Sequence, residues 1–180
     1  MPIHKLFTKL VTIGSLMFWL SLSHAQTTFI PDIPLVNQDG KPVLFYSDLV
    51  KGKIVAMNFI FTSCGTVCPI MGAQFGQLQR ILGDQLGKNV SLISVSIDPV
   101  VDTPQRLKAW GERFGAAPGW TLVTGSKRNI DTLLKALEVF SADKNEHAPL
   151  ALIGNETKNQ WQRVSGLTPA STLANLLKNF

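Results

Sequence analysis

The strongest indication of the fold is the segment from Ile54 to Pro69, with the sequence IVAMNFIFTSCGTVCP. Its first half, Ile54 to Phe61, is apolar except for one asparagine, which is typical of a central strand covered on both faces. Cys64 and Cys68 follow, where the pattern changes to a helix predicted from Thr66 to Leu82. Cysteines four apart at the start of a helix bring their sulfurs to one face, close enough for one disulfide or one metal ion.

These two residues are the only cysteines of the 180-residue chain. The unpaired N–H groups and the dipole of a helix N-terminus favour the thiolate form. Buried cysteines also occur simply as small hydrophobic residues, and that alternative stays open for the pair considered alone. Two cysteines are too few for a disulfide scaffold in a chain of this length, so we interpret them as a functional site.

Residues 1–25 have the pattern of a secretory signal peptide. Two lysines and a histidine precede an apolar stretch from Leu10 to Leu22, and Ser23-His24-Ala25 follows it. The apolar stretch is shorter than the roughly 20 residues that cross a bilayer, so we predict cleavage after Ala25 over a retained membrane anchor. Residues 26–180 are then predicted to form one domain in the periplasm or another extracytoplasmic compartment, where a disulfide can persist.

Composition and charge indicate which kinds of binding partner the protein can have. The chain is 45% hydrophobic, which is ample for the core of one domain. Its formal net charge of +5 falls to +3 when Lys5 and Lys9 leave with the signal peptide, since that segment has no acidic residue. The remaining basic residues occur singly or in pairs, without the dense cluster typical of nucleic-acid binding, so we expect no nucleic-acid partner.

Strand and helix patterns alternate along the rest of the chain and predict an α/β domain. A turn signal at residues 37–40 predicts an N-terminal hairpin. The other predicted strands are Val90–Ile97, Trp120–Val123, Pro149–Ile153 and Gln160–Val164, and the other predicted helices are Pro104–Phe114, Ile130–Leu137 and Pro169–Lys178.

The segment Phe61-Thr62-Ser63-Cys64-Gly65-Thr66-Val67-Cys68-Pro69 resembles the SCO/SenC family of copper-handling proteins, whose usual pattern is Phe-Thr-x-Cys-Pro-x-x-Cys-Pro. Val95-Ser96-Ile97-Asp98-Pro99 and the Asp102-Thr103-Pro104 that follows are similar to a second segment of that family. Gly65 stands where the family usually has proline. The resemblance implies a thioredoxin-like α/β sandwich with a central mixed sheet, an N-terminal hairpin and flanking helices.

The resemblance also implies a metal site. The family binds copper through two cysteines and a distal histidine that precedes a late strand, which here implies Cys64, Cys68 and His147. His147 is the only histidine outside residues 1–25. Two thiolates and one imidazole suit Cu(I), and with a further weak ligand Cu(II). Glu146 and Pro149 on either side of this histidine are unusual for the family.

The function implied is that of an extracytoplasmic copper metallochaperone that assists assembly of a cytochrome oxidase copper centre. Its expected partner is the copper-bearing oxidase subunit or a companion copper chaperone. The alternative is a thiol-disulfide oxidoreductase in which Cys64 and Cys68 are the catalytic redox pair. A peroxide-reducing relative is a weaker third hypothesis, because the sequence gives no arginine an evident place beside the cysteines.

Three further residues have structural interpretations. Asp102 or Thr103 is expected to cap the helix that begins near Pro104. Asp98 is expected to end a strand near the cysteine loop and to bond backbone there. Met71, three residues beyond Cys68, is expected to pack in the core.

Overall fold

The computed structural model describes residues 30–180, and the predicted signal peptide lies outside the described residues. The described chain forms a seven-stranded sheet in the order β2-β1-β5-β4-β3-β6-β7. The strands are β1 Pro34–Asn37, β2 Pro42–Leu44, β3 Ile54–Ile60, β4 Val90–Ser96, β5 Trp120–Thr124, β6 Leu150–Asn155 and β7 Gln160–Ser165, and the helices are α1 Val67–Leu82, α2 Pro104–Arg113, α3 Lys127–Ala136 and α4 Ala170–Lys178.

Strand β3 is the centre of the structure. It pairs in parallel with β4 and antiparallel with β6, so the sheet is mixed. All of its residues after Ile54 are buried. This burial explains the continuous apolar run in the sequence, since a strand covered on both faces has no solvent side for alternating polar residues.

The two faces of the sheet are covered by different elements. Ala56 and Ile60 face a core formed with α1, α2 and α4, whereas Val55, Met57 and Phe59 face a core formed with α3 and the turn at 45–50. Successive side chains of β3 alternate between these cores, as the pleat of a strand requires. The predicted sandwich with a mixed sheet, an N-terminal hairpin and flanking helices is confirmed. Within residues 30–180, no helix has the length and apolar character needed to cross a bilayer.

Several element ends differ from the prediction. Helix α3 begins earlier than predicted because Ser126 Oγ accepts a hydrogen bond from the Asn129 N–H (3.2 Å) and caps it. Strand β6 begins after Pro149, whose ring nitrogen has no hydrogen for the ladder. Phe45–Val50 forms a single π-helical turn that the sequence pattern did not predict.

Gly76 on α1 provides a test of the packing between this helix and the segment after α2. A Cβ atom on Gly76 would lie 2.6 Å from the backbone carbonyl oxygen of Phe114, which cannot rotate away. We expect Gly76→Ala to lower the free energy of unfolding by about 1 to 3 kcal/mol, the usual cost of overpacking, despite the higher helix propensity of alanine. Denaturant unfolding followed by circular dichroism measures the change.

Gln77→Ala is the matched control, because Gln77 is an exposed neighbour on the same helix. It should leave the free energy of unfolding nearly unchanged. Equal stability of the Gly76→Ala protein and the wild type would contradict the close approach of α1 to Phe114.

Candidate metal and thiol site

The two cysteines lie at the N-terminus of α1. Cys64 is in the loop after β3, and Cys68 is in the first turn of the helix. The backbone N–H of Cys68 donates to Cys64 Sγ across 3.4 Å, and the Thr66 hydroxyl lies 3.7 Å from the same sulfur. Cys64 is partly exposed, Cys68 is fully buried, and both are free thiols. The structure therefore brings these two predicted site residues together.

Their surroundings give the two thiols different acidities. Burial on its own would raise the pKa of Cys64, but hydrogen bonds from the backbone and thiol of Cys68 and from the backbone and hydroxyl of Thr66 lower this pKa to about 7. Burial raises the pKa of Cys68 to about 12, and the nearby Cys64 and Asp102 add to the shift, although a hydrogen bond with the Phe61 backbone opposes it. Near neutral pH a substantial part of Cys64 is therefore the reactive thiolate, whereas Cys68 remains a thiol.

A buried carboxylate, Asp102, fixes the start of the cysteine loop. Its Oδ1 accepts hydrogen bonds from the Thr62 hydroxyl (2.6 Å) and the Thr62 N–H (3.1 Å), and its Oδ2 accepts one from the Ser96 hydroxyl (2.7 Å). Thr62 lies just before the cysteines and Ser96 ends β4, so Asp102 joins the loop to the neighbouring strand. The helix cap is Thr103, whose Oγ1 accepts from the Arg106 N–H at 3.3 Å.

This role of Asp102 was not predicted from the sequence. One available signal was its position shortly after a strand parallel to β3, because the carboxyl ends of neighbouring parallel strands meet at one edge of a sheet. No arginine had an evident place beside the cysteines in the sequence, and the structure puts one near the start of their loop. Arg106 Nε donates to the Thr62 hydroxyl across 3.4 Å, because the first turn of α2 lies over the cysteine loop.

His147 lies in the loop before β6 and contacts the end of β3. Its ring meets the Phe61 ring edge to face, with centroids 5.8 Å apart. Nδ1 lies 2.7 Å from the carbonyl oxygen of Lys144. A carbonyl can only accept, so in the neutral ring Nδ1 carries the proton and Nε2 keeps its lone pair. Nε2 is buried and has no hydrogen-bond partner among residues 30–180.

The structure does not gather all three predicted ligands into one cluster. Among residues 30–180, no three His, Cys, Asp or Glu side chains are grouped so that they could hold one ion. The resemblance implied that His147 binds the same ion as both cysteines. Its described contact with the cysteine region is instead through Phe61, three residues before Cys64. The two cysteines are therefore close to each other, and the histidine contacts Phe61, the residue that leads into their loop.

Two other residues were singled out from the sequence. Asp98 pairs with the ammonium group of Lys144 (2.5 Å) in the histidine loop, and its side chain is not bonded to the backbone of the cysteine loop as expected. The reason is that the loop before β6 folds over the end of β4. Met71 is fully buried in the core between the sheet and α1, as predicted.

Known protein families and solved structures include relatives of this chain. Residues 23–160 match the family model described as SCO1/SenC. The chain belongs to the SCO1/SenC family. A solved SCO1/SenC family lipoprotein from Bacillus anthracis has 28% sequence identity, a TM-score of 0.72 and coverage of 86% of this chain and 95% of that chain. The structure of BsSco, a Sco family member, has 26% identity and a TM-score of 0.71, with 86% and 94% covered.

Curated SCO1/SenC relatives match over shorter segments. The SCO1 protein homolog of Bacillus subtilis is 38% identical over 108 residues, which are 59% of this chain and 53% of that protein. A Stutzerimonas stutzeri protein with "copper-binding protein" in its name is 35% identical over 112 residues, 60% of this chain and 51% of its own length. The chain thus spans about half the length of these curated relatives. The family assignment confirms the resemblance drawn from the cysteine motif.

The unequal acidities of the thiols in this SCO1/SenC chain predict selective alkylation. Only the thiolate is nucleophilic, so the rate at Cys64 should rise with pH through its pKa of about 7 and level off above it. Cys68, with its pKa raised to about 12, should stay unmodified over the same range. Iodoacetamide labelling of the reduced protein at several pH values, read by peptide mass spectrometry, measures both rates.

Cys64→Ser is the control, since it leaves Cys68 as the sole thiol of the chain. Its labelling should remain slow up to strongly alkaline pH. Equal rates at the two cysteines of the wild-type protein at pH 7 would show that the hydrogen bonds to Cys64 Sγ do not set its acidity.

Proposed function

We propose that this SCO1/SenC protein binds copper through Cys64, Cys68 and His147 and delivers it during assembly of a cytochrome oxidase copper centre. Among the similar proteins, the one from Stutzerimonas stutzeri is named for copper binding. BsSco is described as a member of a family of cytochrome c oxidase assembly proteins. These relatives support the proposal, in which copper is the cargo of the protein.

The observation that carries the proposal is the buried, unpaired Nε2 of His147. A buried polar atom without a hydrogen bond is uncommon in proteins and points to an absent partner. The Nδ1–H donates to the Lys144 carbonyl, and such a second bond commonly fixes the tautomer and orientation of a metal-binding histidine. The ring that carries this lone pair contacts Phe61, which leads into the loop with the two thiols, and sulfur and imidazole ligands together suit copper.

The three proposed ligands also suit the transfer of copper to a recipient protein. Three protein ligands leave a coordination position open, so a ligand from the recipient can enter before the donor ligands leave. Cys64, with its pKa lowered to about 7, provides a thiolate at neutral pH, whereas Cys68 must lose its proton when metal binds. The three side chains are not clustered among residues 30–180, so copper binding would require the cysteine loop to close toward the imidazole.

The proposal includes export. Residues 1–25 would act as the signal peptide, and residues 26–180 would form the mature domain in the periplasm or another extracytoplasmic compartment. The similar Bacillus anthracis structure is described as that of a lipoprotein, which supports a location outside the cytoplasm. The recipient would be the copper-bearing oxidase subunit or a companion copper chaperone. Membrane association would follow only from a retained signal segment.

A second candidate function is thiol-disulfide exchange, favoured by the unequal acidities of the cysteines. An attacking thiol works best when its pKa is near the ambient pH, as for Cys64, whereas a buried neutral thiol such as Cys68 suits the resolving step. A disulfide switch has been identified in the similar BsSco. Both roles are compatible in one protein, because oxidation of the pair would remove two copper ligands.

The copper proposal is tested by anaerobic titration of the reduced protein with Cu(I) and by addition of Cu(II). We expect one copper per chain and, with Cu(II), a thiolate-to-copper absorption band. His147→Ala should abolish that band and weaken binding by more than about 100-fold, beyond the loss typical of outer-shell partners. Its two thiols should still oxidise to a disulfide.

Glu146→Ala is the matched control, because Glu146 is the exposed neighbour of His147. It should bind copper like the wild type. Unchanged affinity in His147→Ala would remove His147 from the ligand set, and no binding by the wild type would reject the copper proposal.

The exchange reaction is tested by trapping. If Cys64 attacks and Cys68 resolves, Cys68→Ser should accumulate mixed disulfides with exported partner proteins, whereas Cys64→Ser should not. Non-reducing electrophoresis of periplasmic extracts, with and without a reductant, measures the adducts. Equal trapping by both variants would contradict the assigned order, and no trapping by either would count against the exchange function.

A further inference from the structure

Lys144 connects the histidine loop to both strands that end at the site. Its ammonium group pairs with Asp98, which follows β4, across 2.5 Å. The same group lies over the ring of Phe61 at the end of β3, 5.3 Å from the centroid. The backbone carbonyl oxygen of Lys144 accepts a hydrogen bond from the Nδ1–H of His147. One residue therefore contacts the histidine and the two strand ends.

The other hydrogen bonds of residues 141–146 are local. The Ser141 hydroxyl, the Asn145 N–H and side-chain amide, and the Glu146 N–H all bond to Asp143, within the loop itself. Most of these residues are exposed, whereas the Asp98 side chain is only 11% exposed. A partly desolvated ion pair over an aromatic face is stronger than an exposed one. The Lys144 contacts are thus well suited to hold the loop on the sheet edge.

The Phe61 ring connects the contacts of Lys144 to His147. It contacts the Lys144 ammonium group and the His147 imidazole, and its own backbone leads into the cysteine loop. A loop held only by local turns would let the imidazole leave this ring. A loop fixed at Lys144 keeps the Nδ1–H directed at the Lys144 carbonyl and the imidazole ring against Phe61.

We propose that Lys144 is a positioning residue for the metal site: its ion pair with Asp98 over the Phe61 ring holds His147 in place for copper. The copper part of this inference rests on the proposed function. The positioning of the imidazole itself does not, and it is measurable in the copper-free protein.

The first test is nuclear magnetic resonance of the reduced, copper-free full chain. The His147 ring signals are identified by their absence from His147→Ala, which separates them from those of His4 and His24. In the wild type we expect nuclear Overhauser contacts between the His147 and Phe61 rings. Lys144→Met keeps the length of the side chain but loses its charge, and it should lose these contacts. Lys144→Arg, which keeps the charge, should retain them.

Lys127→Met is the matched control. Lys127 also pairs with an aspartate, Asp131, at 2.5 Å, and both residues line the same cavity of about 320 Å³ as Lys144 and His147. Loss of this second pair should leave the His147 signals unchanged. Retained ring contacts in Lys144→Met, or equal loss in Lys127→Met, would overturn the positioning role.

The second test is the affinity of the same variants for Cu(II). Lys144→Met should bind about 10- to 100-fold more weakly, the range typical of residues that orient a metal ligand. Lys144→Arg and Lys127→Met should match the wild type. Unchanged binding by Lys144→Met would overturn the proposal. Tighter binding would also overturn it, because it would mean that the ion pair holds His147 away from the thiols. If the wild type binds no copper, the proposed function fails, and the ring contacts alone decide the role of Lys144.

Discussion

The burial of β3 on both faces constrains every other part of the fold. A strand enclosed by two cores is mainly apolar, and β3 has only Asn58 as a polar residue between its ends. The chain leaves the carboxyl end of β3 through the cysteine loop and the parallel β4 through Asp98 and Asp102. Strand β6 is antiparallel to β3, so the loop before it, with His147, comes to the same edge. The direction of three strands thus brings the thiols, the carboxylates and the imidazole to one end of the sheet.

Different surroundings give two identical side chains different acidities. Cys64 is partly exposed and its sulfur accepts hydrogen bonds, so its pKa is lowered to about 7. Cys68 is one helical turn further into the core, and its pKa is raised to about 12. In the proposed functions, this pairing of a thiolate with a protonated thiol serves both copper binding and disulfide exchange. The two uses exclude each other at any moment, because the disulfide has no thiolate to offer a metal.

The elements of the fold were largely predictable, because hydrophobic periodicity and turn residues are local signals. The central strand, the hairpin at 34–44 and the long helix after the cysteines were all identified, with errors of a few residues at their ends. Those errors had specific causes, such as the Ser126 cap that extends α3. The turn at 45–50 has no amphipathic repeat of its own and was missed.

The cysteine motif and the spacing of the site residues were sufficient to identify the family, the α/β class and the candidate ligands Cys64, Cys68 and His147. Both features can be read directly from the sequence. The surroundings of these residues became known only from the folded arrangement. Asp102 meets Thr62 across 40 positions of sequence, and Lys144 meets Asp98 across 46. Tertiary contacts also set which thiol is acidic and which nitrogen of His147 keeps its lone pair. These properties depend on burial and on hydrogen bonds between distant segments, which no local pattern records.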